Sequence, residues 1–280
     1  MKGFDVLDAT SLLSRLDDAT RAAFASIEVV DAIDSTNSEL LRRRTPDSGI
    51  VALFADRQLG GRGRQGRPWA SPPGANLYLS VSRRFSGELA RLGGLSLVAG
   101  IACAEAMRAI GAGGVGVKWP NDLVVDDDGV LRKLGGILIE GGLQDGAVRA
   151  VIGIGLNVRM PAEAAAAIDQ PWTDLQAQID GGAPAREVVA ATLLDSLAEA
   201  LARFDAEGLA PFLPRFEALD MLRDAQVDAL IADRMVTGVV VGIADDGALR
   251  LRADDRLQTL HAGEVRVRRR GLRQAGGSGA

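Results

Sequence analysis

Cysteine and histidine are almost missing from this chain: Cys103 and His261 are the single representatives among 280 residues. A tetrahedral structural zinc site draws about four Cys or His ligands, so zinc of that kind is excluded. With one cysteine there is no internal disulfide. Cys103 sits in the apolar, helix-patterned stretch LSLVAGIACAEAMRAI and reads as a buried structural thiol. His261 lies in a strand-like stretch near the C-terminus, where a surface or packing role is the ordinary one, so a His-based catalytic triad is a poor reading. Also lacking is any run of about 18 uncharged apolar residues, and no membrane span is expected. The N-terminal stretch MKGFDVLDATSLLSRLDDATRAAF carries acids throughout and lacks the basic-then-apolar order of a secretory signal. A cytoplasmic protein is expected. No Gly-x-x-x-x-Gly-Lys-Ser/Thr phosphate loop and no internal repeat occur.

What remains for chemistry is Lys, Arg, Asp, Asn and the backbone. That inventory points to stabilising charge on an anionic substrate rather than to a protein nucleophile. Composition, with 47% apolar and 25% charged residues, is that of a globular chain long enough for one large domain or two unequal ones.

Periodicity divides the sequence into elements. Residues 10–25 read as a helix and 27–33, IEVVDAI, as a strand. Thr36 and Glu39 have the spacing of a capping box that opens a second helix. GIVALFA (49–55) and ANLYLSVSRRF (75–85) read as strands, and 89–111 as a long helix closed by glycine. A meander follows: 115–119, a turn at Asp128-Gly129, 134–140, a turn at QDG, then 147–158. An alanine-rich helix is expected after Pro161, another over 185–206, and a Pro-broken helix over 210–219. Beyond about Asp220 the short strands and Asp-Gly turns of a small all-β module appear, with a hairpin at Asp246-Gly247.

Four segments could carry function. GGRGRQGRPW (60–69) concentrates Arg62, Arg64 and Arg67 in a chain of formal net charge -5. Its glycines let backbone N–H groups approach a ligand, guanidinium forks match carboxylate and phosphate, and Trp69 offers a stacking face. In an extended chain Arg62 and Arg64 would share a face. A solvated loop and an Arg-Gly RNA-binding segment are the competing readings, the latter weakened by the acidic remainder. Lys118-Trp119-Pro120-Asn121-Asp122 fits an ordinary turn or a phosphate and magnesium site. Lys133, followed by Gly135 and Gly136, is either solvated or set beside a small ligand. Gly153-Ile154-Gly155-Leu156-Asn157 lacks the third glycine and the later acid of a dinucleotide fingerprint.

Taken in order, DSTN, RQLGGRGRQGRPW, GANLYLSV, KWPND, RKLGGILIE and GIGLNV resemble the biotin protein ligase family, and FEALD with the β module resembles its C-terminal part. The resemblance spans about residues 27–270. It implies an α+β fold: a mixed β-sheet with helices, class II aminoacyl-tRNA synthetase-like, over 1–220, then a small Src-homology-like β-barrel over 221–270, with 271–280 a disordered tail. It implies ATP and biotin as substrates, with Mg2+, forming biotinyl-5′-AMP and pyrophosphate. Biotin then passes to one lysine of a biotin carboxyl carrier protein, that of acetyl-CoA carboxylase or a related domain.

On these residues the resemblance places biotin against Ser35, Thr36, Asn37, Gln58, Gly61, Gly136 and Gly153. Arg62 and Arg64 fall in the loop over the biotin carboxylate and phosphate, and Arg67 and Trp69 serve the nucleotide. Lys118 faces the α-phosphate with Asn121 nearby, Lys133 reaches both the carboxyl oxygen and the phosphate, and Asn157 touches adenine. Asp122 is a candidate for magnesium contact or for helping deprotonate the incoming amine. About 26 residues precede the first catalytic strand, fewer than the winged helix of bifunctional members requires, so no DNA binding is expected. Monomer and homodimer both stay open.

Overall fold

The computed structural model describes residues 7–231, 234–254, 256–262 and 265–269; the expected tail lies outside them. Two short helices, α1 (Ala9–Arg15) and α2 (Asp18–Ala23), stand where one was expected. Asp17 accepts from Thr20 N as a second N-cap, and an N-cap has extended backbone, so it divides the segment. Strand β1 then begins at Phe24 and runs to Ile33. Helix α3 (Thr36–Arg42) is capped by Ser35, not Thr36; Glu39 reaches forward instead, to Arg42 and Arg43.

α3 is the crossover that lets β2 (Ile50–Gln58) lie parallel to β1. Strands β3 (Leu77–Phe85), β4 (Val115–Lys118), β5 (Asp122–Asp127), β6 (Val130–Gln144) and β7 (Ala147–Leu156) complete a seven-stranded mixed sheet ordered β1-β2-β3-β7-β6-β5-β4. Asp128-Gly129 and Asp145-Gly146 make the expected hairpin turns, all four residues at positive φ.

The two faces of this sheet differ in chemistry. One carries Phe54, Leu79, Val81, Ile137, Ile152 and Ile154 into the core, beneath α4 (Leu95–Ala109) and α7 (Arg186–Glu207). The segment Leu89–Ala109 is long and apolar enough to cross a membrane, yet α4 is buried here between the sheet and α7. Each fully buried Leu or Ile contributes roughly 1.5–3 kcal/mol. Cys103 is buried with them, its thiol pushed up to about 12 by burial. The opposite face is covered by α3 over a small cluster of Leu40, Leu53 and Val151, and otherwise presents glycine, serine and charged groups.

The alanine-rich helix is a single turn, α5 (Ala162–Ala165). Beyond it the chain runs beside β6, with Lys133 N donating to Pro171 O at 3.0 Å and Thr173 N to Lys133 O at 2.9 Å. α6 (Leu175–Gln178) and, after α7, α8 (Leu213–Glu217) complete the helices.

β8 (Gln226–Ile231), β9 (Arg234–Ile243), β10 (Leu249–Ala253), β11 (Arg256–Leu260) and β12 (Val265–Arg269) form a five-stranded antiparallel sheet ordered β11-β10-β9-β8-β12. It is tied to the first sheet at several points. Val117 N donates to Leu219 O at 2.8 Å and Met221 N to Val117 O at 3.0 Å, so the linker pairs with β4. Gly116 permits this, since a Cβ there would lie 2.5 Å from Met221. The indole N–H of buried Trp119 donates to Gly247 O at 2.9 Å, and Arg269 pairs with Asp126. His261 is exposed, 3.8 Å from Asp246.

At the junction, one Asp220 oxygen accepts from Leu222 N at 2.9 Å and the other is buried with no hydrogen-bond partner. Burial pushes this carboxyl up to about 6 from an ordinary 3.8. It holds its proton more tightly folded than unfolded, so stability falls as pH rises through that window. Asp220→Asn keeps the Leu222 bond and cannot ionise. Its urea midpoint should exceed the parent's at neutral pH, with the gap narrowing toward pH 4; a gap independent of pH would refute the assignment.

Candidate active site

Register decides which charged groups meet. Across the β4–β5 hairpin Lys118 is paired with Asp122, and across β5–β6 Asp122 is paired with Gly136. Leu123 then faces Gly135, but Val124 faces Lys133: Leu134 is an extra residue in β6. Side chains alternate between faces with period two, so without the bulge Lys133 would turn away from Asp122. With it, Lys118, Asp122 and Lys133 share the glycine-rich face. Lys133 Nζ lies 2.6 Å from Asp122 Oδ1, and Lys118 Nζ 3.6 Å from Oδ2.

Burial alone would raise the Asp122 carboxyl, but Lys133, then Lys118, and Arg64 beyond them hold it below the ordinary carboxylate range. Burial lowers Lys118, opposed by Asp122 and reinforced by Lys133. Arg64 is lowered by burial too. The site therefore gathers cations on one carboxylate where water is largely excluded. The intervening turn is held firmly: Asn121 Nδ2 donates to Ile137 O and Ile137 N to Asn121 O, both at 2.9 Å, while Ser96 Oγ donates to Pro120 O at 2.8 Å.

GGRGRQGRPW is a small hairpin, not an irregular loop. Trp69 N donates to Gly61 O at 2.9 Å, Gly63 N to Arg67 O at 2.8 Å, and Arg62 bridges Pro68. Gln65 and Gly66 turn its tip at positive φ. Arg62 and Arg64, expected on one face, reach different partners. Arg62 bonds Glu140 and Ser38; Arg64 donates to Asn121 Oδ1 at 3.2 Å and to the carbonyl of Ala262, in the β11–β12 connection. Arg67 is exposed at the tip. The return to β3 is fixed by Asp56, which accepts from Gly74 N at 3.0 Å and from the buried Arg186 at 2.8 Å.

Trp69 lies over β6 and β7. A Cβ at Gly155 would come within 3.0 Å of its ring, and one at Gly136 would stand 3.3 Å from it. Lys133 Nζ is 5.4 Å from the ring centroid, a cation–π distance. The indole N–H is buried without a hydrogen-bond partner. Gly153 does for Asn37 what Gly155 does for Trp69: a Cβ there would fall within 3.0 Å of the Asn37 amide. The GIGLN pattern thus serves close packing on a strand.

The second cluster adjoins the first. Buried Ser35, Thr36 and Asn37 open α3. Thr36 N donates to Gln58 Oε1 at 2.9 Å, Ser80 Oγ lies 2.6 Å from Asn37 Oδ1 and 2.7 Å from Thr36 Oγ1, and Asn37 Nδ2 donates to Glu140 at 2.8 Å. Gly61 has room for no side chain between Gln58 Nε2 and Ser71 Oγ, each 2.9 Å from a Cβ placed there. Asn157 is turned inward, donating to Thr173 O at 3.0 Å, so its side chain holds the segment beside Lys133.

Sequence reasoning passed over Ser80, Glu140 and Ala262. Ser80 was legible as a hydroxyl within an apolar strand, and Glu140 as the charge ending KLGGILIE; nothing local marks a carbonyl 198 residues from Arg64. The donors around Asp122 do not fit a metal held by the protein alone. Two ammonium groups occupy its oxygens, and among the described residues no three His, Cys, Asp or Glu gather to hold an ion.

Residues 28–157 match the Biotin/lipoate A/B protein ligase family and 226–268 the Biotin protein ligase C terminal domain, which sets the class of protein. The chain is 41% identical to the bifunctional ligase/repressor BirA of Escherichia coli over 94% of its own length and 78% of that protein. It is 35% identical to the biotin--[acetyl-CoA-carboxylase] ligase of Paracoccus denitrificans over 83% and 96% of the two chains. The biotin protein ligase of Aquifex aeolicus, solved in complex with biotin and ATP, superimposes with a TM-score of 0.72 at 27% identity, covering 88% of this chain and 100% of that one. The chain belongs to the biotin protein ligase family.

Gly155→Ala would place a methyl group under the Trp69 ring. Acrylamide should then quench tryptophan emission more strongly than in the parent, whereas Gly142→Ala, with nothing within 4 Å of its added Cβ, should leave quenching unchanged. Identical quenching in both variants would rule out this seat for Trp69.

Proposed function

We infer that this chain activates biotin with ATP, forming biotinyl-5′-AMP and pyrophosphate, and then transfers biotin to a lysine of a carrier domain. The observation that carries the reading is the convergence of Lys118, Lys133 and Arg64 around Asp122, beside a glycine floor and under a hairpin lid. Both steps use nucleophiles that the substrates bring. A biotin carboxylate oxygen attacks the α-phosphorus as the bond to pyrophosphate breaks; the carrier amine then attacks the acyl carbon, and AMP leaves with the electron pair.

The protein's task is to hold two anions together and stabilise the charge that grows between them. Lys133 bridges carboxylate and α-phosphate, Lys118 faces the phosphate, and Arg64 brings the lid to the same point. Asp122 keeps the two ammonium groups apart and oriented. Its low basicity argues against a role as base for the incoming amine. Magnesium enters with the triphosphate as part of the substrate. Thr36, Asn37 and Gln58 shape the biotin ring pocket, and Trp69 and Arg67 serve the nucleotide. Asn157 acts through the Trp172–Thr173 segment. The reading extends to architecture: a class II synthetase-like domain followed by a Src-homology-like barrel.

Labelled biotin, ATP and magnesium incubated with the chain and a biotin carboxyl carrier domain should leave label on the carrier lysine. Label confined to free biotin would defeat the reading. Lys133→Ala should lower single-turnover adenylate formation by about 10²–10³, the usual cost of one preorganised charge-stabilising donor, in a chain that still folds but melts lower because Asp122 loses its 2.6 Å partner. An unchanged rate would remove Lys133 from the reaction.

A further inference from the structure

Glu140 belongs to neither cluster alone. It stands in β6 four residues beyond Gly136, and one carboxylate serves two segments. Oε2 accepts from Asn37 Nδ2 at 2.8 Å, and both oxygens lie 3.0 Å from Arg62 Nη2. Arg62 also donates to Ser38 Oγ at 2.5 Å. Asn37 has little freedom: it is 3% exposed, Ser80 holds its carbonyl oxygen, and its amide lies against Gly153. The guanidinium of Arg62 is therefore committed to a carboxylate of the protein, which leaves Arg64, Lys118 and Lys133 as the cations nearest the reaction.

We propose that Glu140 is a positioning residue that fastens the shoulder of the lid and couples it to the biotin ring pocket, one carboxylate holding Arg62 of the hairpin and Asn37 of α3. The proposal rests on the ligase reading for its substrate. The lid has two fastenings. At the tip, Arg64 bonds Asn121 and Ala262; at the shoulder, Arg62 bonds Glu140 and Ser38. Because Asn37 and Arg62 share an acceptor, a ligand that contacts Asn37 in the ring pocket also bears on the carboxylate that Arg62 needs. Coupling of this kind is reciprocal: a closed lid favours the occupied ring pocket as much as an occupied pocket favours closure. The Arg62–Glu140 pair is partly exposed, with side-chain exposures of 34% and 30%, so salt should weaken it.

The test compares the parent chain with Glu140→Gln, which keeps the shape and loses the charge. In the absence of any ligand, hydrogen exchange at the Gly63 and Trp69 amides, the two that close the hairpin, should be roughly tenfold faster in Glu140→Gln, the scale of one partly exposed charge-assisted bond. Release of preformed biotinyl-adenylate should accelerate by a similar factor. It should also lose the salt dependence that the parent shows, which a merely structural role would not remove. Arg62→Lys, made on the hairpin and away from the core, should reproduce the faster exchange if Glu140→Gln folds poorly. Equal exchange in Glu140→Gln and parent overturns the proposal whatever the ligation assays give. Faster exchange in a protein whose parent makes no adenylate supports the fastening and removes the ligase reading instead.

Discussion

A β-strand turns its side chains to its two faces in strict alternation, and in β6 that rule is broken by one residue. Leu134 is inserted opposite no partner, and the insertion returns Lys133 to the face that already holds Lys118, Asp122 and Gly136. Everything chemical about the site follows. Without the bulge one ammonium group would point into the core and Asp122 would lack its 2.6 Å partner. The residue before the bulge also pairs with Trp172, so the segment after α5 is registered to the same irregularity.

Around that point the molecule divides its labour by face. The apolar face of the seven-stranded sheet supplies the burial that stabilises the fold, against α4 and α7. The other face is kept sparse, with glycine at 136, 153 and 155, so that an indole and an amide can rest on the strands. Carboxylates do the fixing there. Asp122 sets the lysines, Asp56 sets the return from the lid through Arg186 and Gly74, and Glu140 joins lid to helix. The chain's acidic excess and its concentrated arginines are thus two halves of one arrangement.

Much of this could be read from residue order. Each long apolar run became a strand or helix close to its expected bounds, because period two and period 3.6 report which faces must be buried. Lys118 and Asp122 of KWPND lie together with Lys133 of RKLGG, whereas Arg132 pairs with Asp127 at the surface. What stayed hidden was set by register and by distance along the chain. The bulge at Leu134 has no marker in RKLGGILIE; only the partner strand reveals it. Ser35 displaced Thr36 as helix cap because both are capping residues and only backbone extension at Ser35 decides between them. The alanine-rich helix stopped after one turn because residues 171–173 make backbone bonds to β6 that a continuing helix would forbid. In GGRGRQGRPW the glycines make a hairpin possible, with Gly66 at positive φ at its tip.

The junction near residue 220 has a bearing on how this chain behaves when it is incomplete. β4 ends the order of the seven-stranded sheet, and its outer backbone groups meet Leu219 and Met221. An uncovered strand edge is a template for pairing with other molecules. The linker to the C-terminal module therefore works as a guard rail for solubility: a nascent or clipped chain ending before it presents a bare sheet edge beside a wholly apolar core face. Keeping the two parts on one polypeptide protects the protein from its own copies.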